Sequence, residues 1–265
     1  MDQTLAEKII ARASGKASVT PGDIVTCQVD LAMIHDSGGP RRVKSQMEAL
    51  GAGLWDPSKV VLVSDHFAPC TDAESANILK ITREWAAENG VINFYDQQGI
   101  CHVVTPERGH LRPGMFAVGG DSHSPTGGAF GTYMFGIGAT DMLGVLVTGE
   151  TWVRVPETIQ INWSGELRPA VSAKDMALKM CGDLGMDIGQ YQAIQYTGET
   201  ITALDIFERM TICNMAAELG AQAGLIEPDA KTAAYIGDAG SDPGDWEQFR
   251  GDDGARVAAT HNFDA

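Results

Sequence analysis

The sequence lacks the patterns that mark several classes of protein. Its five cysteines, Cys27, Cys70, Cys101, Cys181 and Cys213, are an odd number with no Cys-x-x-Cys spacing. Neither a disulfide framework nor a zinc knuckle is therefore indicated, and we expect reduced thiols and a cytoplasmic location. No apolar run approaches the length of a membrane span, and the first residues lack the basic and apolar regions of a signal peptide.

Positive charge is also scarce. The chain has 19 Lys and Arg residues against 35 Asp and Glu residues, a formal net charge of −16, and no run of Lys or Arg. Nucleic acids and anionic membrane surfaces attract basic proteins, so we expect neither as a partner. An anionic ligand would have to be bound at a local positive site. No internal repeat is visible.

The composition and periodicity that are present indicate an α/β protein. With 265 residues, 44% of them apolar, the chain can form two globular domains. Buried strands are predicted at 59–64, 91–95 and 115–118, separated by helical or loop patterns. Capping patterns and helical spacing predict helices between Thr4 and Gly15, over 40–50, from 71 to 90 and over 202–219. This alternation predicts a largely parallel sheet.

The residue pattern or the composition changes at two points along the chain. Near residue 155 a new alternating strand pattern begins, and from Gly237 onward the chain is rich in Gly, Asp and Pro with little apolar periodicity. We predict a first domain over 1–155 that carries acid/base residues and a second α/β domain over 156–236. Residues 237–265 are predicted to be a polar linker or tail.

A glycine-dense segment, 119–149, is the most informative part of the sequence. It places Asp121 and His123 two residues apart just after a predicted strand. Glycine is most useful where the backbone takes positive φ or approaches a ligand closely. Asp65 and His66 follow another predicted strand. Because ligands bind at the carboxyl ends of open parallel sheets, the two pairs predict one site.

Pairing a carboxylate with an imidazole suits proton transfer, because the carboxylate fixes the tautomer of the imidazole and raises its basicity. Other titratable residues are weaker candidates when taken alone. His35 and His102 lie in loop-like segments, whereas His110 and His261 are predicted to be surface residues. Glu218, near the end of a predicted helix, is either a solvated carboxylate or a buried one with a raised pKa.

Two other motif interpretations are weaker. The glycine spacing does not fit a dinucleotide-binding fingerprint, which needs Gly-x-Gly-x-x-Gly and an acid about twenty residues later. Gly-Asp-x-His resembles the first motif of binuclear metallophosphatases, but their Gly-Asp-x-x-Asp-Arg and Gly-Asn-His motifs are absent. A divalent-metal hydrolase using Asp121 and His123 is kept as the weaker alternative.

Five motifs, taken in order, resemble the large subunit of the aconitase and 3-isopropylmalate dehydratase family, which includes homoaconitase. They are Asp65-His66, Gly-Ile-Cys-His at 99–102, Gly-Asp-Ser-His-Ser-Pro-Thr-Gly-Gly at 120–128, Ala-Lys-Asp at 173–175 and the segment 210–221. The resemblance spans nearly the whole chain and implies aconitase-like three-layer α/β domains with largely parallel sheets. It implies a hydro-lyase that removes water from hydroxy di- or tricarboxylates and re-adds it, using a 4Fe-4S cluster.

The resemblance also implies roles for individual residues. His66, oriented by Asp65, would protonate the departing hydroxyl. Asp121 with His123, and His102 with Glu218, would hydrogen-bond the cluster's water and the substrate carboxylate. His35 stands where aconitase has glutamine, which favours an isopropylmalate-type substrate. The residues implied as substrate contacts are His35, Ser122 and Ser124, and Asn214 is implied to lie near the cluster.

The cysteines depart from the family pattern. The family holds its cluster with one cysteine in a Gly-Ser-Cys-Thr-Asn-like loop and two in a later Cys-x-x-Cys, and neither motif occurs here. We therefore expect cluster ligands from segments outside this sequence, with a partner chain carrying the cysteines and a small swivelling subunit. Three interpretations are open at this point: we expect a fragment, one piece of a split enzyme or a shortened, cluster-free homologue. The alternative function is a catalytically silent binding or assembly subunit.

Overall fold

The computed structural model describes residues 2–265, and these form nine α-helices and eleven β-strands. The helices are α1 Leu5–Ala13, α2 Pro40–Leu50, α3 Ala73–Glu88, α4 Cys101–Glu107, α5 Ala139–Thr148, α6 Ala173–Leu184, α7 Glu199–Ala203, α8 Ile206–Asn214 and α9 Ala230–Asp238. The strands are β1 Ile24–Gln28, β2 Leu31–His35, β3 Val60–Ser64, β4 Asn93–Asp96, β5 Phe116–Gly119, β6 Tyr133–Gly136, β7 Glu150–Arg154, β8 Thr158–Ser164, β9 Ala193–Thr197, β10 Ala223–Leu225 and β11 Ala259–Asp264. Among the described residues, none of the helices has both the length and the apolar character needed to cross a membrane.

Two parallel sheets form the framework, which confirms the predicted α/β fold. The first has five strands in the order β4-β3-β2-β5-β6, and the second has four in the order β10-β9-β8-β11. Strands β1 and β7 form a separate antiparallel ribbon. Central parallel strands are covered on both faces, so they are apolar throughout. Strand β3 follows this rule, because all five of its residues are buried.

The predicted long helix over 202–219 is wrong, because a second helix start interrupts it. Helix α7 ends at Ala203, and α8 begins after Asp205, whose carboxylate accepts the Glu208 N–H at 2.8 Å. The Glu208 side chain accepts the Asp205 N–H in return, which completes a capping box. Helix α8 ends at Asn214 and passes into the 3-10 turn Met215–Ala217. The apolar periodicity continues from α7 into α8, so it does not reveal the break at 204–205 that the capping residues create.

Residues 237–265, predicted as a polar linker or tail, are anchored by polar and backbone contacts. Strand β11 pairs in parallel with β8 at the edge of the second sheet. Asp252 accepts hydrogen bonds from the Gln3 N–H at 2.8 Å and from Lys8 Nζ at 2.6 Å. The Phe249 ring packs against Gly114, whose φ of +78° suits glycine. The domain boundaries at 155 and 236 stay a prediction.

The glycine-dense segment joins the two sheets. Its 3-10 helix, Ser124–Phe130, is buried at every residue. A Cβ atom on Gly128 would lie 1.6 Å from the carbonyl oxygen of Gly224 on β10. The Gly128 carbonyl accepts a hydrogen bond from the Ile226 N–H at 3.1 Å. Glycine is required at Gly128 because two backbones approach each other too closely for a side chain.

Candidate active site

The carboxyl ends of three neighbouring strands bring the candidate side chains to one edge of the first sheet. His35 ends β2, Asp65 and His66 follow β3, and Asp121 follows β5. His102, in the first turn of α4, reaches the Asp121 carboxylate. Parallel strands end at the same edge, as the sequence analysis predicted.

Asp65 orients His66. Its Oδ1 accepts a hydrogen bond from His66 Nδ1 at 2.6 Å, and its Oδ2 accepts the Cys101 N–H at 2.6 Å. Burial opposes the charge on Asp65, but the hydrogen bonds from His66 and Cys101 outweigh it and lower the pKa of Asp65. The Nδ1 proton of His66 is therefore fixed, and Nε2 is left for another partner.

That partner is Asp121, whose Oδ2 lies 3.7 Å from His66 Nε2, a distance typical of an ion pair. The carboxylates of Asp121 and Asp65 together raise the pKa of His66 to about 10. His66 is thus a protonated imidazolium at neutral pH, and 36% of its side chain is exposed. A partly exposed imidazolium of this kind is chemically suited to donate a proton, which makes His66 a candidate acid.

Asp121 connects the histidines. Its Oδ1 accepts His102 Nε2–H at 2.7 Å and the backbone N–H of His123 at 2.8 Å. Two interactions hold the pKa of the Asp121 carboxyl well below its usual range: the hydrogen bond from His102 has the larger effect, and the interaction with His66 the smaller. Asp121 is therefore a fixed negative charge between two imidazoles.

The carboxylate partners of His102 and His123 differ from the expected pairs, which were His102 with Glu218 and His123 with Asp121. His102 pairs with Asp121, whereas His123 Nε2 lies 3.1 Å from Glu218 Oε1. Asp121 Oδ1 accepts the backbone N–H of His123 and lies 3.8 Å from its ring Nδ1, while the other ring nitrogen of His123 faces Glu218. Glu218 thereby links the second sheet's region to the same site.

His35 supports His66 from one face. The two rings stack with centroids 3.9 Å apart and planes inclined by 13°. His35 Nε2–H donates to the Gly120 carbonyl at 2.9 Å, and His35 Nδ1 accepts the Gly38 N–H at 3.3 Å. Burial lowers the pKa of His35, and the positive charge on His66 lowers it further, so the His35 ring is neutral. For His35 to bind substrate, as predicted, one of these backbone bonds has to break.

Three polar side chains brace the loop that carries Asp121 and His123. Ser124 is fully buried and donates to the Asp121 carbonyl at 2.7 Å, so it lies beneath the loop rather than facing a ligand. Asn214 Nδ2 donates to Thr126 Oγ1 at 2.9 Å, which in turn donates to the His123 carbonyl at 2.6 Å. The bracing role of Thr126 is not predicted from the sequence, although the residue lies inside the motif at 120–128. Ser122 is exposed at the site.

One group of potential metal ligands converges among residues 2–265. It consists of His35, Asp36, Asp65 and His66, whose ligand atoms lie within 4.8 Å of one another. Both oxygens of Asp36 accept backbone N–H groups, and both oxygens of Asp65 hold the hydrogen bonds described above. We therefore assign these residues to a hydrogen-bond network and not to a metal.

The cysteines do not fit the ligand set of an iron–sulfur cluster. Cys70 is exposed and Cys181 lies on α6, whereas Cys27, Cys101 and Cys213 are buried on the separate elements β1, α4 and α8. Burial raises the pKa of all three thiols, to about 12 for Cys27 and further for the others. The five cysteines also lack the Cys-x-x-Cys spacing with which the family holds its cluster, so they supply no recognisable ligand set.

Folding stability is expected to depend on the protonation of His66. Its pKa lies above its ordinary value, so the imidazolium's contribution is complete below about pH 6.5. That contribution disappears as the pH rises through about 10. Urea denaturation of wild type and His66→Gln should therefore give a larger difference in unfolding free energy at about pH 6 than at about pH 10.5. A difference independent of pH would contradict the assignment, and His261→Gln is the control.

Asp121 and the surrounding histidines form an acid–base centre at the carboxyl edge of a parallel α/β sheet. Residues 7–261 match the profile of the aconitase family (aconitate hydratase). The chain belongs to this family.

Several relatives support the same membership. The "3-isopropylmalate dehydratase large subunit 1" of Methanopyrus kandleri is 47% identical over 238 residues, covering 89% of this chain and 56% of the relative. The "Probable methanogen homoaconitase large subunit" of Methanothermobacter thermautotrophicus is 42% identical over 265 residues, covering 98% and 61%. The "3-isopropylmalate dehydratase large subunit" of Aquifex aeolicus is 39% identical over 267 residues, covering 100% and 61%. The chain thus spans 56–61% of the length of these relatives.

Proposed function

We propose that this chain provides the acid/base part of a dehydratase that acts on a hydroxy di- or tricarboxylate of the 3-isopropylmalate type. The observation that carries the proposal is the continuous network Asp65–His66–Asp121–His102, in which a partly exposed imidazolium lies between two carboxylates. Membership in the aconitase family and the names of the relatives support the same reaction class.

In the proposed reaction, His66 supplies the proton that hydroxide needs in order to leave. The carbon–oxygen bond breaks, its electron pair stays on oxygen, and the oxygen takes the Nε2 proton of His66 and departs as water. A base outside the residues assigned here removes the proton from the neighbouring carbon. In the hydration direction neutral His66 takes a proton from water. Asp65 holds the same Nδ1 tautomer throughout both directions.

The remaining polar groups of the site are proposed to bind and orient the substrate and the water. His102 and His123 are held by Asp121 and Glu218, and their positions suit hydrogen bonding to the water and the substrate carboxylate. Ser122 is exposed beside them. Both imidazoles are thus held in place by a carboxylate partner.

We further propose that the 4Fe-4S cluster of the family is held by cysteines outside this sequence, on the same polypeptide or on a partner chain. A small swivelling subunit is proposed to complete the substrate pocket. The poor fit of this chain's own thiols and the words "large subunit" in the relatives' names support this arrangement. A cytoplasmic location belongs to the same proposal, because free thiols suit a reducing compartment.

Anaerobic purification tests the proposed function. The 265-residue chain alone is expected to show no visible cluster absorbance and no turnover. Co-expression with a segment carrying the cluster cysteines and with a small subunit should produce a brown assembly that reversibly dehydrates an isopropylmalate-type substrate. If the chain alone binds a stable cluster and dehydrates a malate derivative, the split-site proposal is wrong. A complete assembly that holds its cluster without turnover would favour a silent subunit.

A further inference from the structure

We propose that Asp36 is a positioning residue for His66: its buried carboxylate holds the backbone turn that carries the imidazole and places a negative charge beside it. The functional consequence rests on the proposed role of His66 as the proton donor, whereas the geometry does not. From the sequence alone Asp36 is only the carboxylate next to His35, with no predicted role of its own.

The carboxylate of Asp36 takes the place of a missing strand partner. Strand β3 ends at Ser64, so the backbone N–H groups of His66 and Phe67 lie beyond the strand ladder and need other acceptors. Asp36 Oδ1 accepts the first at 3.1 Å, and Oδ2 accepts the second at 3.0 Å. The Asp36 N–H itself donates to the Val63 carbonyl at 3.1 Å, which ties the residue to the end of β3. The turn at His66 is therefore fixed relative to the sheet.

The buried carboxylate of Asp36 also acts on His66 through its charge. Asp36 is 0% exposed, and no Lys or Arg among residues 2–265 pairs with it. Its nearest cationic group is His66, whose Nδ1 lies 3.8 Å from Asp36 Oδ1. A buried carboxylate without a charged partner is costly, and the nearby imidazolium of His66 offsets that cost. The negative charge is useful at this position because His66 is cationic.

Four groups face the His66 imidazole and together determine its protonation. Asp65 contacts Nδ1, Asp121 faces Nε2, the neutral His35 ring covers one face, and Asp36 lies behind Nδ1. Asp36→Asn removes the charge and one of the two carboxylate acceptors, while Asp65, Asp121 and His35 still face the imidazole. A substitution at Asp36 should therefore weaken the proton affinity of His66 without abolishing it.

The test is the pKa of His66 measured by NMR in the 265-residue chain with labelled histidine. In Asp36→Asn, the pKa of His66 is expected to fall by about one unit, because an opposite charge within 4 Å is lost. Asp229→Asn is the matched control, since Asp229 also accepts two backbone N–H groups, from Lys231 and Thr232, but lies in the second sheet's region. An unchanged His66 pKa in Asp36→Asn, or an equal fall in the control, would overturn the proposal.

Two further measurements keep the proposal testable if Asp36→Asn does not fold. Asp36→Ser keeps a smaller hydrogen-bond acceptor and should show the same fall in the His66 pKa. In the wild type, the amides of His66 and Phe67 should be protected from hydrogen exchange although they lie outside the strand ladder. Rapid exchange of both amides would overturn the positioning role. None of these measurements needs turnover, so failure of the proposed dehydratase function would be seen separately.

Discussion

Replacing Asp121 with asparagine is expected to lower the turnover number of the proposed dehydratase assembly about a thousandfold. The amide keeps the shape of the carboxylate but not its charge. His66 then loses the interaction that most strongly favours its protonated form, and the pKa of His66 falls. The bond from His102 weakens as well, since a neutral oxygen is a poorer acceptor than a carboxylate. One substitution thus disturbs two imidazoles.

Steady-state kinetics and an NMR titration of His66 test this expectation together. Asp141→Asn is the matched control, because Asp141 lies in the same glycine-dense segment but is exposed in the first turn of α5. The control should retain wild-type turnover and an unchanged His66 pKa. Wild-type turnover in Asp121→Asn would show that the network is not part of the reaction.

Replacing Gly128 with alanine is expected to have the largest effect on stability, a loss of about 3 kcal/mol in the free energy of unfolding. The new Cβ would lie 1.6 Å from the Gly224 carbonyl oxygen and 2.7 Å from its carbonyl carbon. Both atoms belong to backbone in β10, so no flexible side chain can move aside. The 3-10 helix Ser124–Phe130 would have to separate from β10, which also disturbs the loop that carries Asp121.

Urea denaturation measures this loss, with Gly144→Ala as the control. Gly144 lies within α5, and a Cβ there meets nothing within 4 Å. Because glycine weakens a helix interior, Gly144→Ala should raise the unfolding free energy by about 0.5–1 kcal/mol. Equal denaturation midpoints for Gly128→Ala and wild type would show that the close backbone contact is not required.

The sequence predicts correctly those helices and strands whose ends are set by residues within or beside the element itself. Helix α2 was predicted over its full length, because Pro40 occupies its first position and Gly51 supplies a left-handed cap with φ of 62°. Strand β3 was predicted within one residue, because a continuous apolar run ends at polar Asp65. The placement of Asp65 and Asp121 at one edge followed from the geometry of parallel strands.

Contacts between distant residues could not be predicted in the same way. Asp36 and His66 are 30 residues apart, and only the pairing of β2 with β3 brings them together. The exchange of partners between His102 and His123 depends on how the Asp121 side chain turns, which sequence spacing does not determine. Strand β11 has little apolar periodicity and is defined by its pairing with β8, about a hundred residues earlier.

The turnover of the complete assembly carrying His66→Ala tests the central claim most directly. His261→Ala is the control, since His261 lies on β11, away from the acid–base network. If His66 is the proton donor, its replacement should lower dehydration of the hydroxy acid by a factor of about 10²–10⁴ while the cluster absorbance stays unchanged. Wild-type turnover with His66→Ala would contradict the account and assign this chain to a catalytically silent subunit.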